Sequence, residues 1–147
     1  MPKFDLKKIT AISGKQDFYQ LTINDKPDFS KAETQEQRNE KKTGVLDIYE
    51  SNLEENYEKD MVQIYNTMQR VANNEHVPGA KYHELTGRKK GDPYKDYEFK
   101  HGDLRVYAIK NDLGKIIILA GFKNEQEKNI RKMRLLKIEY FESLNIK

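Results

Sequence analysis

The chain has 147 residues, 36% of them hydrophobic and 35% charged, with no cysteine and a formal net charge of +3. This length suits a single domain, and the lack of cysteine excludes disulfides, thiolate nucleophiles and Cys-based zinc sites. No apolar run approaches the ~18–20 residues that span a bilayer, and the opening MPKFDLKKIT lacks the apolar core of a secretory signal, so a cytoplasmic location is expected.

In chain order, residues 4–24 read as a β-hairpin. Phe4, Leu6, Ile9 and Ile12 lead into a Ser13-Gly14-Lys15-Gln16 turn, after which Tyr19, Leu21 and Ile23 alternate with polar neighbours. Pro27 marks residues 25–30 as a loop. From 32 to 74 the period becomes helical: Leu46, Tyr49 and Leu53, then Met61, Ile64, Tyr65, Met68 and Val71, repeat as one face of a helix. Gly44 and Glu54-Glu55-Asn56 are the expected breaks, giving two helices packed as an antiparallel pair. Strands are expected over 82–85, 94–100, 104–110 and 115–122. Short Gly-containing turns link the last three, which favours antiparallel neighbours. The unbroken apolar run Ile116, Ile117, Ile118, Leu119 belongs in mid-sheet. A helix over 124–143 buries Ile130, Met133, Leu136, Tyr140 and Leu144 and turns Lys128, Arg131, Lys132 and Arg134 outward. The fold class is therefore α+β with an antiparallel sheet.

Charge is unevenly distributed, with a net −3 over residues 1–80 and +6 over 81–147. This suits either a polyanionic partner for the C-terminal half or a solvated Lys/Glu surface. None of the three histidines, His76, His83 and His101, has a partner at zinc-ligand spacing, and neither a nucleophile elbow nor a phosphate-cradling glycine loop is present. No metal or cofactor is expected. The chemistry-bearing residues that remain are cations on strands and strand ends: Lys95, Lys100, Arg105, Lys123 and the run from Arg88 to Lys90. In the strand 104–110, Leu104, Val106 and Ala108 share one face, and Arg105, Tyr107 and Ile109 the other. An arginine binds phosphate through two hydrogen bonds, and a tyrosine stacks on a base or donates its hydroxyl. Metal-free RNA cleavage needs a base for the 2′-hydroxyl, cations for the phosphorane charge and an acid for the leaving oxygen. The alternative is structural: Arg105 pairs with Glu98 across the sheet, and Tyr107 is a half-buried strand aromatic.

The segments DYEFKHGDLRVYAI and IIILAGFKNEQEK resemble the RelE/ParE superfamily of type II toxins, in particular its RelE- and HigB-like branch. Tyr97-Glu98-Phe99-Lys100, Leu104-Arg105-Val106-Tyr107 and Gly121-Phe122-Lys123 match successive strand motifs of that family, and KYHELTG at 81–87 resembles the stretch before them. The resemblance covers residues 45–144 of a single domain, 1–147, with residues 1–30 as an extra N-terminal hairpin. It implies a RelE-like fold, a twisted antiparallel sheet flanked by a helical hairpin and a C-terminal helix. It also implies a metal-independent mRNA endoribonuclease, with a cognate antitoxin and with mRNA and the ribosome as partners. Arg105, Lys123 and His101 are then the catalytic candidates, and Lys95, Lys100, Tyr107 and Lys128 the nucleic-acid contacts. The chain departs from the family in placing Asp96, Glu98 and Asp103 among these cations. It also has no tyrosine or histidine between Lys123 and Tyr140 to serve as a late proton donor. A non-catalytic ParE-like or partner-binding relative is the alternative.

Overall fold

The architecture comes from a computed structural model that describes residues 4–23 and 44–144. The loop expected at 25–30 and the helical start at 32–43 lie outside the described residues. β1 (Phe4–Lys8) and β2 (Asp17–Ile23) form the expected hairpin, with Phe4 opposite Ile23 and Lys8 opposite Tyr19. The helical stretch then yields α1 (Val45–Ser51), a 3-10 turn at Glu55–Tyr57, and α2 (Glu58–Ala72), whose stripe of Met61, Ile64, Met68 and Val71 is buried. The buried Gln20 takes the place of a local cap for α1: its Oε1 accepts from the amides of Leu46 at 3.0 Å and Asp47 at 2.9 Å. The remaining elements are β3 (Tyr82–Glu84), β4 (Asp96–His101), β5 (Leu104–Asn111), β6 (Gly114–Phe122), a 3-10 turn at Lys123–Glu125, and α3 (Gln126–Leu144).

The strands form one six-stranded sheet in the order β1-β2-β6-β5-β4-β3. The four later strands pair antiparallel, as their short connections require. The sheet as a whole is mixed rather than antiparallel, because β2 joins β6 in parallel, from Asp17 opposite Gly114 to Gln20 opposite Ile117. Short-turn arguments apply only to consecutive strands, and the long helical connection between β2 and β6 leaves either direction open. This junction depends on Gly114. Its φ is +139°, and a Cβ there would stand 2.2 Å from the Asp17 carbonyl oxygen. Gly114→Ala is expected to cost at least about 2 kcal/mol in urea unfolding, from strain plus displacement of β2; a variant within 0.5 kcal/mol of wild type, by the same order-of-magnitude scale, would contradict this reading.

Both faces of the sheet are covered. α1 lies over β2 and β6 and α2 over β4, so each packs chiefly on the sheet rather than on the other, and the Tyr65 hydroxyl donates to Glu50 to tie them together. The core on this side contains Leu46, Ile64, Met68, Phe18, Phe99, Val106 and Ile117. On the opposite face α3 packs over β6 and β5 around Leu21, Tyr107, Ile109, Ile116, Ile118, Met133 and Tyr140. Each fully buried aliphatic or aromatic side chain contributes about 1.5–3 kcal/mol. β6 occupies the mid-sheet position expected from its apolar run. Leu144, expected in the core, is 54% exposed. Lys137 instead completes the buried stripe of α3.

Candidate functional site beneath the C-terminal helix

The parity of β5 is as expected: Leu104, Val106 and Ala108 face α2, and Tyr107 and Ile109 face α3. Residues directly opposite in antiparallel strands point the same way, so the register puts two rows of polar side chains on the α3 face. One row runs from His83 on β3 through Glu98 on β4 to Tyr107 on β5. The next holds Lys100 opposite Arg105, with Gly121 beyond. Strands stand about 4.8 Å apart, and residues two apart along a strand about 7 Å, so both rows lie within reach of a lysine or arginine side chain.

These side chains are more deeply covered than a sheet facing solvent would allow. Glu98 and Tyr107 are fully buried, and Arg105 is 7% exposed. The Gln126 amide at the start of α3 donates to Glu98 Oε2 at 2.7 Å, and His83 Nε2 stands 3.4 Å from Glu98 Oε1. The Arg105 guanidinium curls onto its own chain, Nη1 donating to the carbonyls of Gly102 at 2.8 Å and Leu104 at 2.7 Å. Glu98 therefore meets Gln126 and His83, and the direct pairing of Arg105 with Glu98 does not form. Four buried side-chain polar atoms lack a hydrogen-bond partner among the described residues: Glu98 Oε1, Arg105 Nε, Tyr107 OH and one Arg88 nitrogen. Three of the four are on neighbouring residues of this face. An unsatisfied buried group costs about 1–3 kcal/mol, and such groups concentrate where function retains them.

Burial, reinforced by the Glu98 carboxylate, raises the Tyr107 phenol above its ordinary range and keeps it protonated. The carboxylate of Glu98 is its neighbour, but among the described residues the Tyr107 hydroxyl makes no hydrogen bond of good geometry. Tyr107→Phe is expected to raise stability by about 1 kcal/mol while lowering any activity of the site. Thermal unfolding of the two proteins checks this, and a destabilised Phe variant would mean that the hydroxyl is fully bonded.

The chain matches no family model, no curated protein and no solved structure. The RelE-like resemblance therefore rests on the strand motifs themselves.

The candidates read from the sequence divide between faces and ends. Lys100, His101, Arg105 and Lys123 gather at one end of the sheet, where β4 turns into β5 and β6 ends. The Lys123 amide donates to the Asp103 carbonyl at 2.8 Å, and its side chain borders an open cleft of about 580 Å³ with Tyr57, Asp103 and Phe122. His101 is on the other face, its Nε2 3.3 Å from Asp60 Oδ1 of α2. Arg105 and His101 are thus separated by the sheet. Lys95 is at the far end of β4 and pairs with Glu84 at 3.8 Å, and Lys128 is exposed beside Glu125 at 3.6 Å. From the sequence His83, like His101, is open as a substitute for the missing proton-transfer residue; the β3–β4 register sets it beside Glu98. Among the described residues no group of three or more His, Asp or Glu is placed to share a metal ion, and no helix is long and apolar enough to cross a membrane.

Proposed function

We propose that the chain is the toxin component of a type II toxin–antitoxin pair, a RelE/HigB-like mRNA endoribonuclease working without a metal in the cytoplasm. Arg105 and Lys123 hold the scissile phosphate, and a cognate antitoxin restrains the protein. The observation that carries this reading is the gathering of Lys100, Arg105 and Lys123 at one end of the sheet, Arg105 and Lys123 coming from strand motifs that resemble the family's. Such a cluster suits the developing negative charge of a phosphorane. Among the described residues, Arg105 also keeps one buried guanidinium nitrogen, Nε, without a partner.

The test is incubation of purified protein with ribosomes and message. Cleavage is expected, and Arg105→Ala should lower it by about 10²–10³-fold, the usual loss on removing a group that stabilises transition-state charge. No cleavage by the wild-type protein in the presence of ribosomes sinks the nuclease reading. A second reading draws on the burial of Arg105 and Tyr107: a non-catalytic ParE-like or partner-binding relative. Inhibition of gyrase supercoiling without RNA cleavage would favour it.

A further inference from the structure

Two cations of α3 hold the segment between β3 and β4 as a wall beside that helix. Arg134 donates from Nη2 to the Thr86 carbonyl at 2.7 Å and from Nη1 to the Gly87 carbonyl at 3.2 Å. Lys137, 2% exposed, donates to the Asp92 carboxylate at 2.6 Å and to the Tyr94 carbonyl. Between these anchors the chain turns at Lys89-Lys90-Gly91-Asp92. The Asp92 amide donates to the Lys89 carbonyl at 3.0 Å, and Gly91 takes a φ of +91°, which glycine allows at the third position of such a turn. The turn leaves Lys89 and Lys90 exposed, and neither forms an ion pair among the described residues. Wall and helix border a cavity of about 420 Å³, within the range of small-molecule sites. Its apolar side holds Ile138, still 46% exposed, and Phe141, whose ring stacks on that of Tyr94 at 4.0 Å and 7°. Of the charged groups lining it, Arg134 is bonded to Asp96 and Lys137 to Asp92, which leaves two lysines against Glu142. The free charge of the cavity is therefore positive.

We propose that this cavity binds a planar aromatic anion, its ring over Ile138 and Phe141 and its acid group at Lys89 and Lys90. The apolar side supplies a surface that the chain leaves in water and a ring takes out of it. The lysines supply charge-assisted hydrogen bonds, the stronger kind, to an oxygen acid. Because Arg134 and Lys137 already pin the wall at both ends, binding costs little ordering of the loop. The site does not depend on the nuclease reading. An α-helix rises about 1.5 Å per residue, so Phe141 lies roughly 22 Å along α3 from Gln126, which covers Glu98. A nucleotide phosphate and an aromatic carboxylate share the required chemistry, and competition between them separates the two sources.

The test titrates the full chain with the fluorescent dye 8-anilinonaphthalene-1-sulfonate and with N-phenyl-1-naphthylamine, the same ring system without the acid group. The sulfonate is expected to bind one per chain with a Kd on the order of 10–100 μM. The neutral dye should bind at least about tenfold more weakly, the worth of one charge-assisted hydrogen bond. Replacing both exposed lysines, Lys89→Ala with Lys90→Ala, should weaken the sulfonate by about tenfold and leave the neutral dye unchanged. Ile138→Glu, also at an exposed position, should weaken both dyes. Melting temperatures matching wild type show that these variants keep the fold. Displacement of the sulfonate by AMP but not by adenosine assigns the site to a phosphate, and displacement by indole-3-acetate assigns it to a carboxylate. Equal binding of the two dyes would mark an apolar groove for an uncharged partner and overturn the inference. Binding unchanged in both variants, or a sulfonate that neither competitor displaces at millimolar concentration, would overturn it as well.

Discussion

Asp96→Ala is expected to lower the unfolding free energy by about 3 kcal/mol. Asp96 is fully buried on β4 and faces two cations of α3: Arg134 Nε at 3.2 Å and Lys137 Nζ at 3.4 Å from Oδ2. Lys137 is itself 2% exposed, and it also donates to Asp92 at 2.6 Å and to the Tyr94 carbonyl. Burial opposes ionisation of Asp92, but the Lys137 hydrogen bond and the Tyr94 amide outweigh it and hold its carboxyl below the usual range. Removing Asp96 leaves the buried ammonium with Asp92 alone, so the loss belongs at the lower end of the 3–5 kcal/mol typical of a broken buried pair. With a urea m value of about 2 kcal/mol/M the midpoint falls by about 1.5 M. Adding Lys137→Met removes the stranded charge, so the double variant should be no less stable than Asp96→Ala alone. A single-variant loss below about 1 kcal/mol would place this network among weak surface pairs. The network also matters to the candidate site, because it anchors the helix whose first turn covers Glu98.

The same network explains why parts of the fold were readable from sequence and parts were not. The strand parity of Leu104 to Ile109 and the helical stripe of α2 were legible because each depends on one segment burying one face. Asp96 and Glu98, by contrast, read as acidic intrusions into a cationic strand. The meaning of Asp96 lies in a helix about 40 residues away, where Arg134 reads as part of a solvated basic face, and Glu98 meets Gln126, 28 residues on. One local signal was present. Lys137 falls on the i, i+4, i+7 stripe from Met133 to Tyr140, where a lysine is buried only if a carboxylate meets it. The β2–β6 pairing left no such signal, since its register depends on segments far apart in the chain. For the candidate site, the face that Arg105 shares with Tyr107 was legible from strand parity. Grouping Arg105 with His101 failed at the step from sequence proximity to sheet face: Lys100 and His101 are neighbours in the chain but point to opposite sides. His83 is already open as a substitute in the sequence, but its place on the Arg105 face follows only once β3 is paired with β4.

Stability is expected to rise between about pH 8 and 10 and to fall above it, with Lys115 responsible for the rise. Lys115 is 4% exposed on the α2 face. Its ammonium stands 4.9 Å from the Tyr97 ring centre and 5.9 Å from that of Tyr82, and it donates to Gln16 Oε1 at 3.1 Å. Burial, with the like charge of Lys110, lowers its pKa from 10.5 to about 8. Below pH 8 both the folded and unfolded chains carry this proton, and the folded state bears the full cost of the buried charge. Between 8 and 10.5 the unfolded chain binds more protons, so the folding free energy improves with pH, by about 3 kcal/mol at completion. The tyrosines act in the opposite sense. Burial is the main cause holding Tyr49, Tyr65, Tyr82, Tyr97, Tyr107 and Tyr140 above their ordinary value of 10, so above that pH the unfolded chain loses protons that the folded chain keeps. Urea unfolding at half-unit steps from pH 7 to 11 should therefore show a maximum near pH 10. Lys115→Met should be about 1–3 kcal/mol more stable than wild type at pH 7, after losing the Gln16 and aromatic contacts, and should not rise between 8 and 10. A wild-type profile already flat from pH 8 to 10, or a methionine variant that keeps the rise, would remove Lys115 as its cause.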